Sequence, residues 1–576
     1  MATPILGRFT FVLHAHLPYV LNHGRWPHGM DWLNEATAET YIPILNALNA
    51  LIGEGILPTL SIDLSPVLAE QLADSLFPTE FTSYLDQKIE AATEDLRYFR
   101  KTRDDGYAET AEFWLAFYSD TKRSFEDAYG GDLIGAFRRL QDKGALDIMT
   151  CGATHGYFPL LSQDGSIQAQ VQTAVQTHAR HFHRPPAGIW IPECAYRPGY
   201  AWIPPVDSVL GQQPIARKGV EDFLSQAHLK YFVIDSAMLK GGQAVGVYLE
   251  RFQALKRLWD QFEKETRFQP ERAEKSPYEL YLLQPSHGGE PVAILTRDPK
   301  TGMQVWSAEW GYPGDGWYLD FHKKRFPGGH RYWRVTSVKT DLGQKQRYIR
   351  KQALERIPEH VRHYTELVRG ILSEHRVHTG RPGCITAPYD AELFGHWWFE
   401  GTDFLKGVLR ALALDPEIRL SNGSAILQAE KPSTVVTLPE GSWGQGEHHY
   451  IWLNNETEWT WKHIYDDEFR MVALAESWQR SNKPEGQSGR AVRQAARELL
   501  LLQASDWQFL ISTVSAKDYA ELRFSEHHKG FTRLCSTADT LLEGGDPGAG
   551  EIQFLEDCEE RDRLFPDVNP ALFIRS

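Results

Sequence analysis

Cysteine and methionine are both scarce in this chain of 576 residues, which has five of the first and six of the second. The cysteines are scattered, odd in number and without any CxxC spacing. That pattern excludes a disulfide framework and a zinc ribbon, because both need paired or closely spaced cysteines. We therefore expect a protein of a reducing compartment.

Long apolar runs and basic clusters are also absent. No run of about 20 apolar residues occurs, and the N-terminus lacks a basic segment followed by an apolar stretch of about 7 to 15 residues. The 61 basic and 76 acidic residues give a net charge of -15, without a long basic stretch to bind nucleic acid or an anionic membrane. We expect a cytoplasmic protein that acts on a neutral or polymeric partner.

Short β-rich runs alternate with helical patterns over residues 8–387. The predicted strands are 8–13, 57–63, 145–151, 187–191, 231–235, 292–297 and 383–387. Between strands, residues 167–177 and 344–375 repeat apolar side chains with helical spacing. This alternation predicts an α/β fold with a parallel sheet or barrel, in which a ligand binds at the carboxyl ends of the strands.

The same patterns divide the chain into parts. A barrel is predicted at 1–400, and helical runs without strand alternation predict a helical domain at 401–540, followed by a linker and tail at 541–576. Residues 64–144 are too many for a simple connection and predict an inserted helical subdomain. Residues 240–277 include QFEKETRFQPERAEKSP and predict a highly charged loop insertion.

Two acidic residues follow strands in similar surroundings. Glu193 lies in GIWIPECAYRPG and Asp390 in CITAPYDAELFGHWWFEG, each just after a proline and close to aromatic residues. Retaining glycosidases use two carboxyl groups about 5–5.5 Å apart, one as nucleophile and the other as acid and then base. Aromatic neighbours supply a platform for a sugar and the desolvation that raises the pKa of an acid. The alternative is that each acid forms an ordinary structural salt bridge.

Three histidines also fall at predicted strand ends. His14 and His16 lie on one face of the first strand, because side chains alternate along a strand, and His155 follows the third strand. With Asp235 they could bind a divalent metal, as in amidohydrolase barrels. Neutral imidazoles can equally form hydrogen bonds with sugar hydroxyls. The residues alone leave both interpretations open.

Tryptophan is abundant, with 18 residues. Most of them can be core residues, but Trp306, Trp443 and Trp452 lie in the glycine-containing stretches QVWSAEWGYPGDGWYLDFH and GSWGQGEHHYIWLN. A glycine beside a tryptophan leaves a ring face open, as a sugar platform requires. Because GSWGQGEHHYIWLN belongs to the predicted helical domain, we expect that domain to close over the barrel and complete the site.

Five stretches resemble, in order, the signature regions of glycoside hydrolase family 57: HAHLPYV, CGATHGYFPLL, WIPECAYRPG, TAPYDAELFGHWWFEG and GSWGQGEHHYIWLN. NHGRWPHG, RDPKTGMQVWSAEWGYPGD and ARELLLLQASDW further resemble the 1,4-α-glucan branching enzymes of that family. The resemblance runs from Arg8 to about Arg533. It implies a distorted (β/α)7 TIM-like barrel with an inserted helical subdomain and an all-helical C-terminal domain, in agreement with the seven predicted strands.

The resemblance also implies roles for individual residues. Glu193 would be the nucleophile and Asp390 the general acid and base. The residues expected to bind the glucan, which include those at the strand ends, are His14, His16, Trp26, His155, Asp235, Arg297, Trp306, Trp397, Trp443 and Trp452. The family needs no metal, so the resemblance favours sugar binding for the histidines, and we expect no cofactor.

The expected reaction is cleavage of an α-1,4-glucan with retention, followed by transfer of the chain to a 6-hydroxyl to form an α-1,6 branch. The α-amylases and 4-α-glucanotransferases of the family share both acids and are the near alternatives. A metal-dependent amidohydrolase and a glucan-binding module without turnover are the more distant ones. Family branching enzymes shield the intermediate with a loop tyrosine, and the stretch between Asp235 and Val292 offers Tyr248 and Tyr278, neither of which aligns with it.

Overall fold

The computed structural model describes residues 5–241, 275–307 and 311–574. The predicted insertion at 240–277, with its Tyr248, lies almost entirely outside these residues. The described strands are β1 (Gly7–Ala15), β2 (Leu60–Leu64), β3 (Leu146–Met149), β4 (Gly188–Ile189), β5 (Tyr200–Trp202), β6 (Ile215–Arg217), β7 (Tyr231–Ile234), β8 (Tyr281–Leu283), β9 (Val292–Thr296), β10 (Gly383–Asp390) and β11 (Ile418–Leu420).

The helices account for most of the described secondary structure. They are α1 (Met30–Ala36), α2 (Ile42–Gly53), α3 (Pro66–Ala73), α4 (Phe77–Lys101), α5 (Asp105–Arg123), α6 (Leu133–Asp142), α7 (Asp164–Phe182), α8 (Val220–Gln226), α9 (Ser236–Leu239), α10 (Pro299–Trp306), α11 (Arg350–Thr379), α12 (Gly401–Ala413), α13 (Gly423–Ala429), α14 (Glu458–Arg480), α15 (Gly486–Leu502), α16 (Asp506–Thr513), α17 (Lys517–Leu542) and α18 (Ala549–Arg561).

β1 organises the first sheet. Its sequence GRFTFVLHA is rich in aromatic and aliphatic residues and is buried on both faces, as expected for a central parallel strand. β1 pairs in parallel with β2 and β10, and β2 pairs in parallel with β3. The carboxyl ends of these four strands therefore lie at the same edge.

A second sheet has the order β4, β7, β9 and β8, in which only β8 runs antiparallel to its neighbour. Two isolated parallel bridges connect it to the first sheet. Thr150, just after β3, pairs with Ile189 of β4, and Arg297, just after β9, pairs with Thr386 of β10. The prediction of an α/β fold with seven parallel strands is confirmed by β1, β2, β3, β4, β7, β9 and β10.

The chain between β2 and β3 is helical, with α3 to α6 and a short π-helical segment at Ser124–Ala128. α4 and α5 form an antiparallel pair whose apolar faces contact each other through Phe99 and Tyr107. The aromatic side chains of α5 also contact Phe399, after β10. The helical content predicted for residues 64–144 is thus present and is packed against the α/β part.

Two parts of the C-terminal region differ from the sequence-based expectation. β11 extends the first sheet by pairing in parallel with β1, so the region beyond 401 is not all-helical. The expected linker and tail at 541–576 instead contains α18 and a 3-10 helix at Pro570–Phe573 with a buried Phe573. GGDPG resembles a linker, but the apolar side chains after it pack onto the rest of the protein.

Within the described residues, no helix combines the length and the apolar character that are needed to cross a membrane.

Candidate active site

Three polar residues lie at one level on adjacent strands. In the parallel register of the first sheet, His14 of β1 lies opposite Asp63 of β2 on one side and Asp390 of β10 on the other. Residues opposite each other on neighbouring strands are about 5 Å apart at their Cα atoms. The central strand thus brings an imidazole and two carboxyl groups together at the carboxyl edge of the sheet.

Glu193 comes from the sharp turn that follows β4. Its backbone is left-handed at φ 60° and ψ 25°, and Cys194 after it is also left-handed at φ 49°. Non-glycine residues adopt this conformation at a cost and are found mainly where surrounding contacts enforce it, often at functional sites. Trp443 supplies two such contacts: its backbone N–H donates to the Glu193 carbonyl at 3.1 Å, and its indole N–H donates to Glu193 Oε2 at 2.7 Å.

The electrostatics of Glu193 and Asp390 are linked. Burial raises the pKa of Glu193 to about 8, the indole donor of Trp443 lowers it, and the negative charge of Asp390 raises it. Burial raises the pKa of Asp390 to about 7, and the charges of His16 and Arg297 lower it. Both groups therefore titrate near neutral pH and can share one proton. The Trp443 hydrogen bond stabilises the ionised form of Glu193 and so opposes the effect of burial.

Glu392, two residues after Asp390, is a third buried carboxyl group. The hydroxyl of Tyr41 donates to Oε1 at 2.5 Å, and the backbone N–H of His16 donates to the same oxygen at 3.2 Å. Burial raises the pKa of Glu392 to about 8. Tyr41 ends a π-helical segment, Thr37–Tyr41, a distortion that often occurs at functional sites.

The three predicted histidines form one stack. The ring centroids of His16 and His155 are 4.0 Å apart, those of His14 and His155 are 5.1 Å apart, and the planes are inclined by 14° and 21°. Trp190 stacks on His14 at 4.9 Å. Burial lowers the pKa of His14 and that of His155 well below the usual value, and the charge of His16 lowers both further. His14 and His155 are therefore neutral.

Two residues of the C-terminal region complete this histidine stack. Asp506, the first residue of α16, contacts His16 Nε2 with both carboxylate oxygens at 3.1 Å. Ser505 Oγ lies 2.8 Å from His155 Nδ1, and the Ser505 backbone N–H donates to the His155 carbonyl at 3.1 Å. The expectation that this region contributes to the site thus has a physical basis, although through Ser505 and Asp506 as well as Trp443.

Each ring nitrogen of the stack already has a protein partner. His14 Nδ1 lies 2.5 Å from Asp63 Oδ2, His14 Nε2 lies 3.1 Å from His155 Nε2, and His16 Nδ1 lies 2.9 Å from Ser65 Oγ. A sugar hydroxyl can bind these imidazoles only by sharing or replacing such a partner.

Asp235, Arg297 and Trp306 form a second group of predicted residues, which is centred on Trp443. Arg297 Nη1 donates to Asp235 Oδ2 at 3.1 Å, and its guanidinium lies over the Trp443 ring at 5.7 Å. Trp306, the last residue of α10, has its ring centroid 6.3 Å from those of both Trp443 and Tyr389. The structure therefore brings these predicted residues together around Glu193 and Asp390.

The remaining predicted tryptophans have different surroundings. Trp26 is 71% exposed in the loop after β1, and Trp397 is 40% exposed in the turn after Asp390. Trp452 is buried against Tyr157, with ring centroids 4.5 Å apart, so neither face is open. A Cβ atom on Gly444 would come within 2.6 Å of the Trp452 ring, so this glycine permits close packing rather than an open platform.

Tyr278, one of the two loop tyrosines considered above, is far from the carboxyl pair along β10. Its carbonyl accepts a hydrogen bond from the backbone N–H of Cys384 near the beginning of β10, whereas Asp390 ends that strand. The Tyr278 hydroxyl donates to Asp298. This tyrosine cannot cover the Glu193 carboxyl from that position, and Tyr248 lies outside the described residues.

Two groups of side chains in the site have the spacing of metal ligands: His14, Cys151 and His155, and His16, His155 and Asp506, with ligand atoms within 4.8 Å of one another. Burial raises the pKa of the Cys151 thiol well above its usual value, which disfavours the thiolate that a metal needs. The second group has ligand types that suit zinc. Its histidine nitrogens are already bound to Ser65, Asp506, His14 and Ser505.

Sequence analysis did not predict Tyr41, Glu392, Ser505 and Asp506 as site residues, and it placed Asp63 at the end of a predicted strand without assigning it a role. The signal for Glu392 was its place two residues after Asp390, and the signal for Ser505 and Asp506 was the stretch ARELLLLQASDW. Nothing in the sequence indicates that Tyr41 reaches Glu392, since the two are 351 positions apart.

Residues 10–439 match the model of glycosyl hydrolase family 57, and residues 463–573 match the C-terminal domain model of 1,4-alpha-glucan branching enzymes. The 1,4-alpha-glucan branching enzyme of Thermococcus kodakarensis is 42% identical over 562 residues, which cover 98% of this chain and 78% of that protein.

Solved structures give a consistent result. The crystal structure of the same Thermococcus branching enzyme, with glucose and additives, superposes with a TM-score of 0.88 at 40% identity, covering 99% of this chain and 97% of that one. The branching enzyme of Pyrococcus horikoshii gives 0.86 at 38% identity with the same coverage. The α-amylase AmyC of Thermotoga maritima gives 0.79 at 27% identity, covering 99% of each chain. The chain belongs to glycosyl hydrolase family 57.

Proposed function

We propose that this protein is a retaining 1,4-α-glucan branching enzyme, with Glu193 as nucleophile and Asp390 as general acid and base. The observation that carries the proposal is the partly buried Glu193 carboxyl, which is held by the Trp443 indole N–H and coupled electrostatically to Asp390. The branching enzymes of Thermococcus kodakarensis and Pyrococcus horikoshii, at 42% and 38% identity over nearly the whole chain, support this choice of reaction.

In the first step, a Glu193 oxygen attacks the anomeric carbon of an α-1,4-linked glucan. The bond from that carbon to the leaving oxygen breaks, and Asp390 transfers its proton to this oxygen. The product is a glycosyl ester on Glu193 and a shortened chain. In the second step Asp390 removes the proton from a 6-hydroxyl of an acceptor chain, which displaces Glu193 and forms the α-1,6 branch with retained configuration.

The surroundings of the two acids suit a neutral, ring-shaped substrate. The Trp306 and Trp443 indoles offer large apolar faces beside the Arg297 and Asp235 side chains, and such combinations of aromatic and hydrogen-bonding groups favour sugars. The histidine stack forms a second wall, in which His155 Nδ1 lies 3.9 Å from Glu193 Oε1. We propose that both walls contact the glucan on either side of the bond that breaks.

A second candidate is an α-amylase, because the structurally similar AmyC is named an α-amylase and covers 99% of the chain. In that case water instead of a 6-hydroxyl would attack the Glu193 ester. The higher similarity to the branching enzymes, and the match of residues 463–573 to their C-terminal domain, favour branching.

We also propose that the seven parallel strands close into a distorted barrel, since the two isolated bridges link the sheets on both sides. The division into a barrel at 1–400 with its inserted helices, and a C-terminal domain after it, stays a prediction. The five described cysteines are free and buried, which supports a reducing compartment and hence a cytoplasmic location.

The experiment that tests this function uses amylose as substrate. After incubation, α-1,6 linkages are measured by proton NMR and new reducing ends are measured in the same sample, with the Glu193→Gln variant as control. We expect new α-1,6 signal with few reducing ends. Reducing ends without α-1,6 signal would show an amylase, and no change in amylose with the native protein would contradict both functions.

A further inference from the structure

A chain of hydrogen bonds crosses the active site from the barrel strands to the C-terminal region. Asp63 Oδ2 lies 2.5 Å from His14 Nδ1, His14 Nε2 lies 3.1 Å from His155 Nε2, and His155 Nδ1 lies 2.8 Å from Ser505 Oγ. All four side chains are buried. His155 Nδ1 is also 3.9 Å from Glu193 Oε1, so the chain ends beside the expected nucleophile.

With both imidazoles neutral, the chain has two consistent proton arrangements, because each contact needs one donor and one acceptor and a proton on Asp63 Oδ1 would have no acceptor among the described residues. If Asp63 is ionised, His14 donates from Nδ1, His155 donates from Nε2, and His155 Nδ1 is a lone pair. If Asp63 is protonated, it donates to His14 Nδ1, His14 donates from Nε2, and His155 carries its proton on Nδ1. Only the second arrangement places an N–H, rather than a lone pair, next to the Glu193 carboxylate.

The surroundings of Asp63 favour the protonated arrangement. Its side chain is fully buried, and its second oxygen, Oδ1, has no hydrogen-bond partner among the described residues. An isolated carboxylate with one bare oxygen is costly in such a site, whereas a neutral acid is tolerated. Burial and the negative charge of Glu392 both raise the pKa of Asp63 well above its usual value.

We propose that Asp63 is a positioning residue that acts as a neutral hydrogen-bond donor and fixes the tautomers of His14 and His155, so that His155 presents its Nδ1–H to Ser505 and the Glu193 carboxylate. Asp63 itself does not touch the glucan. Its effect on the reaction passes through two imidazoles over the width of the site. This inference rests on the proposed role of Glu193.

Two substitutions at Asp63 separate this role from simple packing. Asp63→Asn keeps the shape and offers an amide N–H as donor to His14, so it should retain branching activity at a level close to that of the native protein. Asp63→Leu has a similar volume but no donor, and it should lower kcat by about 10- to 100-fold, the range found when the partner that orients a functional histidine is removed. KM should change little, because Asp63 is remote from the substrate.

The direct readout is neutron diffraction from deuterium-exchanged crystals of the native protein at neutral pD. The inference predicts a deuteron on Asp63, on His14 Nε2 and on His155 Nδ1. Deuterons on His14 Nδ1 and His155 Nε2 would overturn it, whether or not Asp63→Leu folds.

The native protein separates failure of this inference from failure of the proposed function. If native protein forms α-1,6 linkages and Asp63→Leu, folded by circular dichroism, matches its kcat, the positioning role is wrong while the function stands. If native protein does not act on amylose, the proposed function is wrong, and the neutron result still decides the proton arrangement.

Discussion

This protein has two buried clusters of histidines and carboxyl groups, and they differ in what compensates their charges. In the active site, no hydrogen bond or ion pair among the described residues joins Asp63, His14 or His155 to a lysine or arginine. In the second cluster, Asp562 accepts a hydrogen bond from Arg561, and His527 accepts one from Arg523. The Asp63–His14–His155 chain thus has no lysine or arginine partner among these residues, whereas the second cluster pairs Asp562 with Arg561. Burial lowers the pKa of His23 to about 4 and that of His527 to about 3, so the imidazoles of the second cluster are neutral as well.

The second cluster connects three distant parts of the chain. Asp562, after α18, accepts from His23 Nε2 at 2.6 Å and from Arg561 Nε at 2.8 Å. In α17, Arg523 Nη2 donates to His527 Nε2 at 2.9 Å. Although burial raises it, the pKa of Asp562 is held well below its usual value by the hydrogen bond from His23 and by the charge of Arg561. These contacts attach the C-terminal segment to the loop after β1.

The backbone shows the same difference. His155 and Glu193 are both left-handed, with φ of 64° and 60°, while His23, His527 and Asp562 have ordinary backbone angles. Strained residues persist where the surroundings enforce them, and they are common at functional sites. Burial of a histidine next to an acid therefore does not identify a functional site, whereas backbone strain at strand ends separates the active site from the second cluster.

The largest expected effect comes from the nucleophile. Glu193→Gln removes the oxygen that forms the glycosyl ester, so the branching rate on amylose should fall at least about 1,000-fold while the protein stays folded. Glu221→Gln is the matched control, since Glu221 is also a buried acid with a raised pKa of about 7 but lies outside the site and accepts from Tyr196. Equal losses in both variants would contradict the assignment of Glu193.

The second cluster should respond in stability rather than in rate. Asp562→Leu leaves His23 and Arg561 without their buried partner, so the free energy of unfolding should fall by about 3–5 kcal/mol, measured by denaturant titration. The kcat of the folded fraction at a low temperature should stay at the native level. A lower kcat with unchanged stability would remove the distinction between the two clusters.

The Trp443 indole controls the charge on Glu193. Trp443→Phe removes the N–H donor at 2.7 Å, so the pKa of Glu193 should rise and the acidic limb of the kcat/KM profile should move to higher pH. A hydrogen bond to a charged group contributes about 1.5–3 kcal/mol, which corresponds to a shift of about one to two pH units. Trp452→Phe serves as the control, because Trp452 contacts Tyr157 and not Glu193.

Arg297 should have a smaller effect, which concerns the alkaline limb of the pH profile of kcat/KM. Its charge lowers the pKa of Asp390, so Arg297→Met should raise that pKa and move the alkaline limb of the kcat/KM profile to higher pH. The shift should be less than about one pH unit, because the interaction between the two charges is screened. Arg297→Lys keeps the charge and should leave the limb where it is in the native protein. A shift to lower pH in Arg297→Met would contradict the assignment of Asp390 as the acid.

Residues 8–387 illustrate how much of the fold the sequence could predict. Strand and helix periodicity located all seven parallel strands, because each is an apolar run that is buried on both faces and bounded by turn residues. β4 has only two residues, and β11 has three, so neither length is encoded in periodicity. GGDPG suggested a linker because local composition does not reveal that α18 packs against α15.

Strand-end motifs in the sequence pointed to Glu193, Asp390 and His155, and the structure brings these three residues together. Ser505 and Asp506 lie about 350 and 490 positions from the histidines that they contact, and such pairings depend on tertiary packing. The tryptophans show the opposite error. The glycines of GSWGQGEHHYIWLN suggested an open ring at Trp452, yet in the structure Gly444 allows tight packing around that buried ring.

The central claim is that Glu193 forms a covalent glycosyl intermediate that Asp390 then resolves. The most direct measurement incubates the Asp390→Ala variant with an α-maltooligosyl fluoride, whose leaving group needs no acid, and locates the adduct by peptide mass spectrometry. The account predicts a glycosyl ester on Glu193 that accumulates because no base activates the acceptor. An adduct on Glu392 or another residue, or turnover at the native rate without any adduct, would contradict it.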